Sequence, residues 1–416
     1  MKRPRFRKHQ IEALKLTENR DRVAYYMGCG TGKTFVACEQ LLRYNNDYNL
    51  VIVQKSKVSD WIEHFRTYTD LDVIDYTKKN AKIGTGIIVI NYELTWRRKE
   101  LKTLKNFTLL LDESSKIQHE TAKQTKFILS LKPKNVILAS GTPCAGRYEN
   151  LYSQIKLLGV PISKRAYWDR YVIYETINSM DKQFKLVTGY KNVEELKANL
   201  RNVGAVFMLS DDVLDLPSIT EQTIKITSTP EYRKFVKNRI VFVGDKEFVG
   251  DTTLNQLLRE RQLCGSYNEN KLATLSDILE STDDRMIIFY QFAEDFQKLA
   301  QICIKLKKPT SYVNGSGRNL TQYNQHNNSV TLIQYQAGAH GLNLQLANKM
   351  IFFDPPLSCE QYSQAKARIH RLGQEKPCLY WYLTVENSVE EKIYARLNIG
   401  VDYTLRLFEE DELKRK

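Results

Sequence analysis

"MGCGTGKT" runs from Met27 to Thr34, between the apolar run "RVAYYM" (22–27) and the helical-looking stretch "GKTFVACEQLLRY". A strand, a glycine-rich loop and a helix in that order form a phosphate cradle. A phosphate chain needs backbone N–H groups pointing inward and a helix N-terminus behind them. Gly28, Gly30 and Gly32 allow the tight curl, with Cys29 and Thr31 between them. Lys33 is placed to neutralise the β- and γ-phosphates, and Thr34 to ligate Mg²⁺. One position departs from the usual pattern: Met27 stands where Gly or Ala is common. A plain glycine-rich turn is the alternative, and the strand–loop–helix context weighs against it.

Working outward, "NLVIVQ" (49–54), "GIIVIN" (86–91), "FTLLLD" (107–112) and "NVILAS" (135–140) read as further buried strands. They are short, rich in β-branched and aliphatic residues, and mostly end at polar residues. Helical stretches such as "KVSDWIEHFRTY" separate several of them. That alternation predicts a parallel sheet covered on both faces. The last third repeats the plan with "RMIIFYQF" (285–292), "TSYVNG" (310–315), "VTLIQYQ" (330–336), "KMIFFDPP" (349–356) and "CLYWYLTV" (378–385). The expectation is therefore an α/β chain with one lobe over 1–160 and a second over 276–416. Residues 161–275, rich in Tyr, Lys and Arg, read as a largely helical elaboration and connector.

"LLLDESSK" (109–116) ends one of these strands with Asp112 and Glu113. Alone it could equally be a helix N-cap. A parallel sheet, however, binds ligands at the carboxyl ends of its strands. Paired with the phosphate loop, Asp112 is placed to hold Mg²⁺ and Glu113 to polarise the attacking water. "LASGTP" (138–143) ends another strand, where Ser140 and Thr142 offer hydroxyls beside the same region. In "QAKARIHRLGQ" (364–374), Gln364, Arg368 and Arg371 fall at i, i+4 and i+7, one face of a helix. Such a face presents two guanidiniums to a triphosphate, or is only a solvated basic surface.

With 416 residues, the chain is too long for one ordinary core. Hydrophobic and charged contents of 42% and 26% describe a globular protein, and no apolar run approaches a membrane span. The basic start "MKRPRFRKHQ" is followed by no apolar segment, which argues against a secretory signal. Seven scattered cysteines without a Cys-x-x-Cys pair argue against a zinc site or disulfide framework, so a cytoplasmic setting is expected. The net charge of +14 favours a polyanionic partner, although many basic proteins have none.

Taken in order, these segments resemble the superfamily 2 helicase-type ATPases of the SWI/SNF-like group. "MGCGTGKT", "LLLDESSK", "LASGTP" and "QAKARIHRLGQ" resemble motifs I, II, III and VI. "VIVQKSKVSDWIEHF" (51–65), "IIVINYEL" (87–94), "MIIFYQF" (286–292) and "QAGAHGLNLQLANKMIFFDPP" (336–356) resemble motif Ia, the next DNA-facing motif, and motifs IV and V. The Arg-x-His-Arg-x-Gly-Gln ending is the most specific feature and separates this group from DEAD-box RNA helicases. In the middle, "GYKNVEELKANL", "VLDLPSITEQ" and "LLRERQLC" resemble compact members from phages and bacteria.

The resemblance implies two RecA-like lobes with an ATP cleft between them, and a monomeric motor that hydrolyses ATP to translocate along duplex DNA. A strand-separating helicase in replication or repair, or the motor of a restriction or defence complex, is the alternative. A replication, repair or nuclease protein would be the partner; no membrane is implied. The implied catalytic set is Lys33, Asp112, Glu113, Arg368 and Arg371, with ATP and Mg²⁺ as cofactors. Gln10, in "RKHQ", is the implied adenine contact, and Gly341, Asn343 and Gln364 are further nucleotide residues. Lys55, Ser56, Lys57 and Asn91 match phosphate-contact positions, which would read DNA backbone rather than bases. Ser140 and Thr142 are coupling residues. Ser115 stands where the group usually carries histidine, and Phe207–Ser210 replace a usual Arg-Arg-Thr-Lys run, so the links made there must differ.

Overall fold

Val23, Tyr25 and Met27 turn to one face of β1 (Arg22–Met27), Ala24 and Tyr26 to the other, and all five are buried. The same split recurs in β2 (Tyr48–Val53), where Leu50 and Ile52 oppose Val51 and Val53. A strand alternates faces with period two, so a run apolar at every position must be covered on both sides. Each such aliphatic side chain contributes about 1.5–3 kcal/mol on burial. The computed structural model describes residues 4–144, 146–179, 182–338 and 342–400, and the chain divides into two units, Met1–Leu214 and Asp215–Lys416.

The first unit holds a seven-stranded sheet. Besides β1 and β2 it contains β3 (Val73–Asp75), β4 (Gly86–Asn91), β5 (Thr108–Asp112), β6 (Asn135–Ser140) and, after the hairpin of β7 (Val172–Ser179) and β8 (Lys182–Tyr190), β9 (Ala205–Met208). The order is β3-β4-β2-β5-β6-β1-β9, and every neighbouring pair is parallel. Register matters more than order for the site. Tyr26 lies opposite Ser140, and Ala139 opposite Asp112. The ends of β1, β6 and β5 therefore finish in one row, which brings the loop 27–34 beside the acidic pair.

In the second unit, β10 (Ile219–Ile226) precedes a small hairpin of β11 (Ile240–Val243) and β12 (Lys246–Val249). The main sheet adds β13 (Met286–Tyr290), β14 (Thr310–Asn314), β15 (Gly317–Asn319), β16 (Val330–Gln334), β17 (Lys349–Phe352) and β18 (Cys378–Val385). Its order is β10-β18-β17-β13-β16-β14-β15, parallel except for β14 against β15.

Both sheets are the parallel α/β layers expected, and all ten strands expected from the sequence are present. The middle segment differs. It does not stand apart: β9 extends the first sheet, β10 extends the second, and two antiparallel hairpins lie within it. The change of unit falls after Leu214. These strands are hard to see because they are edge elements. β10 is exposed along most of its length and gains its place by pairing with β18, not by an apolar pattern.

Candidate active site

Met27 is buried at the end of β1, and the chain turns directly into the loop. Gly28 donates its N–H to the Met208 carbonyl at 2.9 Å, and Ser210 Oγ donates to the Cys29 carbonyl at 2.7 Å. A Cβ on Gly28 would lie 2.3 Å from Ser210 Oγ, so only glycine fits. The stretch 207–210, which stands in place of the usual basic run, here closes around the loop by backbone and hydroxyl contacts. Gly32 takes φ +78 as N-cap of the helix Lys33–Tyr44, and no side chain caps that end. No side chain thus competes with an anion for that helix end. Cys29, Gly30 and Thr34 are half-buried along the loop.

Thr31 is fully buried and serves the loop itself: its hydroxyl donates to the Gly28 carbonyl at 2.8 Å. The Thr31 carbonyl accepts from Gln10 Nε2 at 3.0 Å and pairs with the His9 ring at 2.9 Å. Gln10 Oε1 in turn accepts the Arg7 N–H at 2.9 Å. Directly after Thr34, Phe35 forms one wall of a cavity of about 520 Å³, with Phe6, Cys38, Leu42, His64 and Tyr68. Burial holds the His64 imidazole down at about 4, so it is neutral there.

Lys33 Nζ lies 3.8 Å from Glu113 Oε1, and Ser140 Oγ donates to Glu113 Oε2 at 3.2 Å. The same Ser140 oxygen accepts the Thr142 N–H at 3.2 Å. Residues of three sequence motifs thus meet at one carboxylate. Glu113 itself has φ +51, a left-handed conformation that costs a non-glycine residue on the order of 1 kcal/mol. Asp112 is almost fully buried, and its Oδ2 accepts from Trp61 Nε1 at 2.8 Å. Burial, then the neighbouring Glu113 charge, push the Asp112 carboxyl up to about 6, while Lys33 pulls the other way.

Trp61 and Tyr92, whose hydroxyl donates to the Asp112 carbonyl at 2.8 Å, were not singled out in the sequence. Trp61 lies in the helix Val58–Tyr68, where an aromatic on an apolar face ordinarily signals only packing. Ser115 is buried, and its Oγ has no hydrogen-bond partner among the described residues.

In the second unit the expected helical face for Gln364, Arg368 and Arg371 is not formed. The helix Cys359–Lys366 ends before both arginines. The carbonyl of its last residue is claimed from outside, by Tyr380 OH donating to Lys366 O at 2.7 Å, and in the turn beyond it Leu344 N–H donates to Arg368 O at 3.2 Å. The arginines sit on the turn that follows. Arg368 is nine-tenths buried, and Arg371 Nη1 donates to the Leu342 carbonyl at 3.2 Å. The turn is locked by its two most specific residues. His370 pairs with the Pro217 carbonyl at 2.9 Å, and Gln374 Nε2 donates to Ala347 O at 2.7 Å. Gln364 is buried and donates to Glu360 at 3.2 Å; Asn343 is exposed; Gly341 lies outside the described residues.

The expected DNA contacts divide. Lys55, Ser56 and Lys57 form a single turn after β2. Lys55 is exposed in an open groove of about 680 Å³ that holds the cations Arg66 and Lys78 and also the acids Glu63 and Asp75, while Lys57 is paired with Asp60 at 2.9 Å. Asn91 is buried and donates its amide to Glu93 at 2.5 Å, so it presents no surface group. It ends a central strand whose carbonyl is taken by Thr95 Oγ1 at 2.9 Å.

Comparison with known proteins places this arrangement. Residues 270–373 match the helicase conserved C-terminal domain. The chain is 23% identical to the ISWI chromatin-remodeling complex ATPase ISW2 of Saccharomyces cerevisiae, covering 88% of this chain and 37% of that protein. It is 24% identical to the human SWI/SNF-related matrix-associated actin-dependent regulator of chromatin subfamily A member 1, covering 89% and 40%. The uncharacterized ATP-dependent helicase YqhH of Bacillus subtilis is 22% identical, with 94% and 77% covered. The chain thus spans about two fifths of the length of the two eukaryotic relatives. A Sulfolobus solfataricus SWI2/SNF2 ATPase core in complex with dsDNA aligns with a TM-score of 0.46 at 21% identity, covering 98% of this chain and 93% of that one. Residues 13–269, more than half of the chain, match the SNF2-related domain, and the chain belongs to that family.

Proposed function

We propose that this chain is an ATPase that is stimulated by duplex DNA and uses hydrolysis to move along it. The observation that carries the reading is the meeting of Lys33, Glu113 and Ser140 at one strand-end row, beside an uncapped helix N-terminus. Anion-accepting N–H groups, a cation and a fixed carboxylate within one site suit phosphoryl transfer to water. Glu113 would accept the water's proton, and Lys33 would offset charge on the phosphates. The aromatic cavity beside Phe35 suits a planar base.

The residues also fit a divalent cation. Among the described residues no cluster of three or more His, Cys, Asp or Glu forms a self-sufficient metal site. Magnesium commonly needs only one or two carboxylates when phosphates and waters complete its shell, which Asp112 and Thr34 could join. When bound, the ion would supply charge neutralisation on the phosphate oxygens. Asp112 must then be ionised. Because its carboxyl is raised to about 6, its charged form dominates above that value and is lost below it. Magnesium-dependent nucleotide affinity should weaken about fourfold between about pH 7.5 and pH 5.5. Calorimetric titration of nucleotide at the two pH values checks this, and an unchanged magnesium dependence would remove Asp112 from the role. Arg368 and Arg371 enter the proposal through the sequence resemblance.

For the partner, the supporting features are the net charge of +14 and the exposed Lys55 groove, where Arg66 adds a second cation and Lys78 is paired with Asp75 at 3.6 Å. Backbone recognition by such cations makes affinity fall with salt, by a log–log slope of about −0.9 per phosphate neutralised on duplex. The deciding measurement is ATP turnover with duplex DNA, single-stranded DNA and RNA across a salt series. Stimulation by duplex that fades with salt is expected. Equal rates with and without every duplex tested would sink the proposal.

A further inference from the structure

Three segments of the first unit converge on one buried amide. Gln154 lies on the helix Tyr152–Leu157 and is fully buried. Its Oε1 accepts from Ser114 Oγ at 2.7 Å and from Tyr26 OH at 3.0 Å, and its Nε2 donates to the Pro143 carbonyl at 2.7 Å. The orientation of the amide is set by chemistry, because a proline carbonyl can only accept. The nitrogen must face Pro143, which leaves the oxygen's two lone pairs for the two hydroxyls. Burial holds the Tyr26 phenol neutral, so it stays a donor.

Each partner is next to a candidate active-site residue. Ser114 follows Glu113, Pro143 follows Thr142, and Tyr26 precedes Met27. The Ser115 hydroxyl, by contrast, makes no hydrogen bond among the described residues. We infer that Gln154 is a positioning residue that holds the Glu113 turn and the Ser140–Pro143 turn as one body, so that a change at the nucleotide reaches both together. This rests on the ATPase reading above. The Glu113 turn is strained and the Ser140–Glu113 bond is long at 3.2 Å, so the turn needs a second anchor. The Ser114–Gln154–Pro143 bridge is shorter at both steps and shielded from water, where a hydrogen bond is most costly to lose.

The test uses Gln154→Leu, which keeps bulk and removes the bridge, and Ser114→Ala, which removes one donor and leaves the helix intact. Two readouts are taken on the whole chain: steady-state ATP turnover, and hydrogen exchange at 113–116 and 141–144 with and without a non-hydrolysable ATP analogue. In the wild type, the analogue should protect both segments. In either variant, protection at 113–116 should persist while that at 141–144 falls about tenfold, with kcat down by a similar factor and KM within about threefold. Gln154→Asn, which keeps the amide on a shorter arm, should recover part of kcat. Joint protection in the variants as in the wild type, or kcat and KM failing together, would overturn the inference alone. A wild type in which the analogue protects neither segment would overturn the nucleotide-site reading and this inference with it.

Discussion

Glu113→Gln is expected to lower kcat for ATP turnover by about 10²–10⁴-fold while nucleotide affinity stays within a few-fold. The amide is nearly the same shape as the carboxylate, so the left-handed turn at φ +51 can persist. Its oxygen can still accept from Ser140 Oγ, which now stands 3.2 Å from Glu113 Oε2. What disappears is an acceptor able to take a proton from water, together with the charge facing Lys33 at 3.8 Å. Single-turnover rates beside equilibrium nucleotide binding separate the two effects. If affinity and rate fall by the same factor, Glu113 is holding the loop in shape, not acting on water. The neighbouring Asp112→Asn should do the reverse and lose magnesium-dependent affinity first.

Lys271→Ala should destabilise the second unit by about 3–5 kcal/mol, the usual cost of stripping one partner from a buried ion pair. Lys271 Nζ donates to Glu390 Oε1 at 2.7 Å and lies 3.6 Å from Asp354 Oδ1, and all three side chains are almost wholly inaccessible. The cluster ties the helices Glu269–Glu280 and Val389–Asn398 to Asp354, two residues beyond β17. Without the ammonium, Glu390 and Asp354 are left in a dry interior with buried Arg261 as the remaining cation facing them. A fall in Tm of about 10 °C follows for a unit of this size.

The pH dependence of that loss distinguishes charge from packing. Glu390 is pushed up to about 7, by burial first, with Lys271 opposing the rise and Asp354 adding to it. A carboxyl raised in the folded state binds protons there more readily than in the unfolded chain. Its contribution is therefore present below the unfolded value near about 4 and is lost as pH rises through about 7. In Lys271→Ala the opposing cation is gone, so protonation should rescue the fold more strongly. The deficit should be largest at about pH 8 and visibly smaller at about pH 6. Equal deficits in melts at the two pH values would mean that lost packing over Phe353, not stranded charge, explains the change.

Motifs that work through backbone shape and strand ends were legible in order and type. The loop 27–34, the acidic pair and the Ser140 turn all lie where a parallel sheet puts its ligand end, because register and strand length fix them locally. The spacing of Gln364, Arg368 and Arg371 misled for the same reason in reverse. A period of 3.6 describes a helix only while the helix continues, and here it stops at Lys366, whose carbonyl is taken by Tyr380, while Leu344 holds the Arg368 carbonyl in the turn beyond. Asn91, expected to contact DNA backbone, is buried at the end of β4 and spends its amide on Glu93, two residues on, a burial that the apolar pattern does not state.

Apolar period, glycine placement and the order of motifs were sufficient for two parallel α/β sheets and for the loop 27–34 at a strand end. Those features arise from interactions within a few residues, which a sequence states directly. Contacts across long separations were not readable: Trp61 on Asp112, Ser210 on the loop at Cys29, and Gln154 between Ser114 and Pro143. Each joins residues whose partners are chosen by how the strands stack. A buried hydrogen bond is directional and sub-ångström in tolerance, so only the folded chain decides which donor meets which acceptor.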